Sequence, residues 1–152
     1  MKSESGGPIR ASAFFVSIFN MNTKTRSPDR TALKHLLEAI CGESALYRIL
    51  EVFYAEMKDD PMIGYFFQGK PIHEIAGKQA EFILMAAGLR SNFEGKGPAS
   101  AHTALPPLCQ GHFDRRLVIL RTVLGREGVH APQIEVWVQF EESFRAMVVE
   151  KP

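Results

Sequence analysis

Residues 44–61 read SALYRILEVFYAEMKDDP, and their pattern decides the fold class of the chain. The apolar residues of this stretch recur at steps of three and four: Leu46, Ile49, Leu50, Phe53 and Met57. This spacing is typical of one face of an α-helix. Ser44 is a favoured residue for capping the start of such a helix, and Pro61 ends it. The stretch therefore predicts an amphipathic helix with one buried face.

The rest of the chain repeats this helical spacing, with glycine and proline between the segments. Further helices are predicted near residues 33–40, 72–87, 113–124 and 132–148. A glycine-rich loop at 88–98 leads into a short segment at 99–105 that prolines bound on both sides. The sequence has no alternation of β-branched residues between hairpin turns and no internal repeat. These patterns together predict an all-α protein.

Length and composition limit the classes of function. A chain of 152 residues fits one domain, with room for a core and a small-molecule cavity. The net charge of +1 gives no reason to expect nucleic acid or an anionic membrane as a partner, and no apolar run is long enough to cross a membrane. Cys41 and Cys109 have no metal-ligand spacing and form no disulfide framework, so we expect a cytoplasmic protein.

Residues 1–30 are predicted to be a flexible N-terminal extension, and residues 31–152 to be the helical domain. The extension is rich in Ser, Gly, Pro, Arg and Lys and shows no sustained apolar period. Its apolar run at 11–19 has the length of a signal-peptide core, but no small-residue cleavage pattern follows it. Translation that starts at Met21 is a further interpretation of this stretch.

His102 is a candidate metal ligand because of the segment that carries it. This segment is too short to be a major packing helix and is held between prolines, so its neighbours set its shape. A haem iron needs one neutral imidazole at a fixed height over the ring. A surface or capping histidine is the alternative, since a lone histidine usually has one of those places.

Gln79 and Tyr54 are candidate polar residues of the core. Gln79 lies four residues after Ile75 and four before Ile83, so it lies on the same face of its helix as the apolar residues. Burying an amide without a partner costs about 1–3 kcal/mol, so a partner on that face is expected unless Gln79 lies at the edge of the stripe. Tyr54 flanks the apolar face of its own helix, where its hydroxyl either finds a buried partner or reaches water.

Other conspicuous residues allow more ordinary interpretations. The pair Phe66-Phe67, between two helices, either closes the core or stacks on a flat cofactor. The sequence contains no phosphate-binding loop, nucleophile elbow or zinc-protease motif. The remaining charged and titratable candidates are interpreted as solvated or capping histidines and a charged helix face: His35, His73, His112 and His130, and Arg115, Arg116 and Arg121.

Six short segments, in their order and spacing, make residues 33–150 resemble a truncated haemoglobin, closest to group I of that family. The segments are FYAEMKDDP at 53–61, FFQG at 66–69, GKQAEF at 77–82, FEG at 93–95, AH at 101–102 and GHF at 111–113. The resemblance implies a two-over-two helical sandwich that encloses a haem pocket. Where the family has paired glycines between its first two helices, this chain has Cys41-Gly42.

The resemblance implies that the chain binds haem b and a gas at its iron. His102 matches the proximal histidine that ligates the iron. Tyr54 matches the distal tyrosine that donates a hydrogen bond to dioxygen, and Gln79 matches the glutamine that supports this tyrosine.

Four more residues match the walls of the family's haem pocket. Phe67 matches the phenylalanine that stacks on the porphyrin, and Lys78 matches a basic residue near a haem propionate. Ile75 takes a place where the family often has an apolar residue over the iron. Phe82, in the third matching segment, belongs to the same cofactor-binding set.

The function that the resemblance implies is reversible binding of dioxygen, nitric oxide or carbon monoxide, for nitric oxide detoxification or for gas storage or sensing. Nitric oxide dioxygenation would need an external reductase, because the chain has no flavin or nicotinamide motif. The alternative is a globin-fold interaction or sensor module that no longer binds haem. A monomer or a weak dimer is expected in either case.

Overall fold

The computed structural model describes residues 29–90 and 107–149, and both stretches are helical. The α-helices are α1 (Arg30–Ala39), α2 (Glu43–Asp59), α3 (Ile72–Ala86), α4 (Gln110–Arg126), α5 (Ala131–Glu142) and the single turn α6 (Arg145–Val148). A 3-10 turn, Gly64–Phe67, connects α2 to α3. The described ranges contain no strand, so the predicted all-α class is confirmed. None of their helices has the length and apolarity needed to cross a membrane.

The first helix begins inside the predicted N-terminal extension. Asp29 is its N-cap, and the Asp29 carboxylate accepts a hydrogen bond of 2.7 Å from the amide of Ala32. This capping bond satisfies an amide that would otherwise have no partner in the first turn, so the helix includes Arg30. The boundary at residue 30 is corrected accordingly, whereas the rest of the predicted extension lies outside the described residues.

Helices α1, α3 and α4 end in the same way, with one residue in the left-handed conformation. That residue is Gly88 (φ +82°) after α3 and Gly128 (φ +83°) after α4. After α1 it is Cys41 (φ +75°), where a side chain makes this conformation unfavourable. In each case the next amide donates to a carbonyl five residues earlier: Gly42 to Leu37 at 2.9 Å, Leu89 to Leu84 at 2.8 Å and Val129 to Leu124 at 3.0 Å.

Helix α2 is the central element of the core. It packs on α3 and α4, while α5 packs on α4 and on α1. The apolar stripe that the sequence predicts for α2 is buried along its whole length, from Leu46 to Met57. The single tryptophan of the chain, Trp137, is buried in α5, and its indole N–H has no hydrogen-bond partner within the described residues.

Candidate functional site

Tyr54 is buried in the middle of α2. Its side chain is 0% exposed, and its ring meets the half-buried ring of Phe67 edge-on, with 5.8 Å between the ring centroids. Among the described residues the Tyr54 hydroxyl makes no hydrogen bond of ordinary geometry, and the Arg116 guanidinium is the polar group that acts on it most directly. Because Tyr54 follows Leu50 by four residues and precedes Met57 by three, its burial belongs to the same helical stripe.

The Tyr54 hydroxyl stays protonated at neutral pH. Burial raises the pKa of Tyr54 to about 12, and the positive charge of Arg116 opposes this rise. The guanidinium carbon of Arg116 lies 5.6 Å from the centroid of the Tyr54 ring. The hydroxyl is therefore a buried donor that keeps its proton.

Gln79 lies on the buried face of α3, as its spacing predicts, with 1% of the residue exposed. Its amide nitrogen donates to Oε2 of Glu141 at 3.2 Å, across to α5. An ionised carboxylate only accepts hydrogen bonds, so the nitrogen end of the amide must face Glu141. The oxygen end, Oε1, has no partner in this part of the chain.

Glu141 also pairs with Arg116 of α4, and both side chains are buried. Arg116 Nε donates to Oε1 of Glu141 at 2.8 Å, and the exposed fractions of the two side chains are 11% and 2%. The Arg116 guanidinium carbon lies 4.9 Å from the centroid of the Phe53 ring. Burial alone would lower the pKa of Arg116, but the interactions with Glu141 and Tyr54 together outweigh it and raise this pKa. The interpretation of Arg116 as part of a charged surface face is therefore wrong.

Periodicity carries a signal for both members of this pair. Arg116 lies three residues after Phe113 on the apolar face of α4, and Glu141 lies four residues after Trp137 on that of α5. The helical spacing that places Gln79 in the core therefore also places Arg116 and Glu141 there. We call Tyr54, Gln79, Arg116 and Glu141 the buried polar cluster.

The other predicted pocket residues surround the cluster in different ways. Ile75 is fully buried, one turn before Gln79 on α3. The side chain of Lys78 is 33% exposed, and its ammonium nitrogen lies 3.9 Å from a carboxylate oxygen of Glu81. Phe82 is fully buried and packs against α5 and the turn after it, with 5.9 Å between its ring centroid and that of Phe140.

His102, the predicted iron ligand, lies outside the described residues, together with the glycine-rich loop before it. The histidines that are described have the ordinary roles expected of them. His35 and His130 are exposed, and His112 accepts a hydrogen bond of 3.1 Å from the amide of Cys109 at the start of α4. Within residues 29–90 and 107–149, no group of three His, Cys, Asp or Glu side chains is placed to hold a metal ion.

Comparison of the sequence with models of known protein families and with characterised proteins gave no match. The functional assignment therefore depends on the residues of the chain itself, above all on the buried polar cluster.

Proposed function

We propose that the chain is a haem protein of the truncated haemoglobin type, a two-over-two helical sandwich that binds dioxygen, nitric oxide or carbon monoxide. The observation that carries this proposal is the buried Tyr54 hydroxyl, which makes no hydrogen bond of ordinary geometry to the described residues. Each unsatisfied polar atom costs about 1–3 kcal/mol in the absence of a partner. Dioxygen has only acceptor atoms, so in this proposal it takes the hydrogen bond of the Tyr54 hydroxyl and leaves Oε1 of Gln79 without a donor.

In this proposal the residues that match the family bind different parts of haem b. His102 would ligate the iron, Phe67 would stack on the porphyrin, and Lys78 would pair with a propionate. Ile75 and Phe82 are apolar, which suits the walls of a pocket for a flat apolar group, and both are covered by the protein itself in the haem-free chain. Bound haem supplies the iron that takes up the gas.

Tyr54 is the residue that selects the gas. Dioxygen at a ferrous iron has partial negative charge, so a buried donor favours it over carbon monoxide. The pKa of about 12 keeps the Tyr54 proton in place at neutral pH. Nitric oxide dioxygenation fits the same site, since dioxygen, nitric oxide and an electron from an external reductase together give nitrate. We place this activity in the cytoplasm, in a monomer or a weak dimer.

One contact favours a second candidate, a globin-fold interaction or sensor module without haem. The hydrogen bond from Gln79 to Glu141 gives the amide nitrogen a partner inside the protein, so this nitrogen does not need a ligand. The two candidates differ in haem uptake, which the absorbance spectrum of the purified protein measures directly.

Replacement of His102 tests the proposed function. The parent protein should be red, with a Soret band, and His102→Ala should bind no haem or lose it readily. His112→Ala is the matched control, because His112 caps α4 and should leave the spectrum unchanged. Unaltered haem retention and an unaltered ferrous spectrum in His102→Ala would remove the assignment of the ligand. A colourless parent that takes up no added haem would favour the second candidate.

A further inference from the structure

Glu141 decides which end of the Gln79 amide is available to a ligand. The amide group is planar, and its oxygen and nitrogen point in different directions from the same carbon. Because the nitrogen faces Glu141 at 3.2 Å, the oxygen is the end without a partner. An amide oxygen accepts hydrogen bonds and donates none, so in this orientation it repels the electron-rich end of a small ligand.

Arg116 makes this orientation a fixed one. Its Nε donates to Oε1 of Glu141 at 2.8 Å, while Gln79 uses the other carboxylate oxygen. Both carboxylate oxygens of Glu141 thus act as acceptors, so this side chain offers no hydrogen to the amide oxygen of Gln79. Turning the Gln79 amide around would place two acceptors against each other inside the protein.

We propose that Glu141 is a specificity-determining residue of this site, which turns the nitrogen of Gln79 away from the gas and leaves Tyr54 as the donor to dioxygen. This inference rests on the proposed function. It adds that Tyr54 donates a hydrogen bond to the gas, whereas Gln79, which the resemblance matches to a glutamine that supports the tyrosine, presents an acceptor. Glu141 is a positioning residue in this scheme, since it acts on the gas through Gln79.

The test compares release rates of dioxygen and carbon monoxide from the haem-loaded protein. In Glu141→Gln the residue at 141 can accept or donate, so the Gln79 amide can turn and donate to dioxygen. Dioxygen release should slow about tenfold, the effect of one hydrogen bond to a charged group, while carbon monoxide release stays within about twofold. Adding Gln79→Leu to Glu141→Gln should abolish the gain, and Gln79→Leu alone should not speed dioxygen release. Glu142→Gln is the control, because Glu142 is exposed and pairs with Arg145.

A second variant protects the test against misfolding, because Glu141→Gln removes the ion pair that Arg116 makes inside the protein. The paired change Arg116→Met with Glu141→Leu removes both charges and also frees the amide, so it should slow dioxygen release in the same way. In the haem-free protein, NMR should show slow solvent exchange of the Gln79 side-chain amide protons, and faster exchange in the paired variant.

The outcomes separate the two proposals. Normal haem uptake with unchanged dioxygen release in both Glu141→Gln and the paired variant would overturn the role of Glu141 and leave the proposed function intact. Faster dioxygen release in Gln79→Leu alone would overturn it too, because Gln79 would then be a donor. A parent that takes up no haem would overturn the proposed function itself, whatever the exchange rates show.

Discussion

Two arginine–glutamate pairs connect α4 to α5, and they differ mainly in their surroundings. Arg116 and Glu141 have side chains that are 11% and 2% exposed, whereas those of Arg121 and Glu135 are 47% and 53% exposed. The exposed pair has two hydrogen bonds, one of them 3.2 Å long. The buried pair also orients Gln79 and lies beside Tyr54. An arginine–glutamate ion pair therefore connects two helices at the surface in one place and orients the side chains of a candidate site in the other.

The two ion pairs should differ in their contribution to stability because water surrounds one pair and is largely excluded from the other. Solvent-exposed ion pairs contribute about 0–1 kcal/mol, because water and salt screen the charges and two long side chains must be held still. Charges that are taken out of water lose their hydration, and the pair regains this only through good geometry and further hydrogen bonds. The buried pair is thus weak evidence for stability, and its Gln79 contact is the more informative observation.

The largest expected effect is on the free energy of unfolding when the buried pair is split. Glu141→Leu removes the carboxylate that pairs with Arg116 inside the protein and should lower this free energy by about 3–5 kcal/mol. The paired variant Arg116→Met with Glu141→Leu should recover most of the loss, because no isolated charge remains. Urea unfolding followed by circular dichroism measures both. Equal losses in the single and paired variants would mean that the pair itself stabilises the fold, and would remove the contrast with the exposed pair.

A smaller effect is expected at the hydroxyl beside the buried pair. Tyr54→Phe should weaken dioxygen binding about ten- to a hundredfold, mostly through faster release, and should change carbon monoxide affinity much less. In the haem-free protein the free energy of unfolding should change little, because this hydroxyl makes no hydrogen bond of ordinary geometry to the described residues. Stopped-flow release rates and urea unfolding check the two parts.

A dioxygen release rate within twofold of the parent would show that Tyr54 does not face the gas. A clear loss of stability in the haem-free Tyr54→Phe protein would show that its hydroxyl has a partner in solution. Either result would contradict the role proposed for Tyr54 in the buried polar cluster.

The smallest effect is expected at the exposed pair. Glu135→Gln should lower the free energy of unfolding by less than about 1 kcal/mol at neutral pH, and by less still in high salt. The hydrogen bond from Arg121 lowers the pKa of Glu135, so its contribution is present above the unfolded pKa and fades as the pH falls through the folded one. Urea unfolding at several salt concentrations and pH values measures this. A loss as large as that of Glu141→Leu would contradict the distinction by burial.

The sequence predicts the helices and the inward direction of their side chains, but not what lies opposite them. The spacing of Gln79 places it in the core, yet its partner Glu141 is 62 residues away and is set by the packing of α3 against α5. Residue type alone predicts that the arginines of α4 form a surface face, although the period of the helix places Arg116 inward. The end of α1 could not be predicted from residue type either, because Cys41 takes a left-handed backbone conformation that usually requires glycine. The role of His102 stays a prediction.

Trp137 gives the protein an optical property. It is the only tryptophan among 152 residues, it is 1% exposed, and its N–H has no partner in the described part of the chain. An indole in such dry surroundings should fluoresce at short wavelength, and its emission should move to longer wavelength on unfolding. A domain of this length has a radius of gyration of about 15 Å, so any bound haem would lie close enough to quench it by energy transfer. Haem titration and unfolding can therefore be followed in the same cuvette without a label.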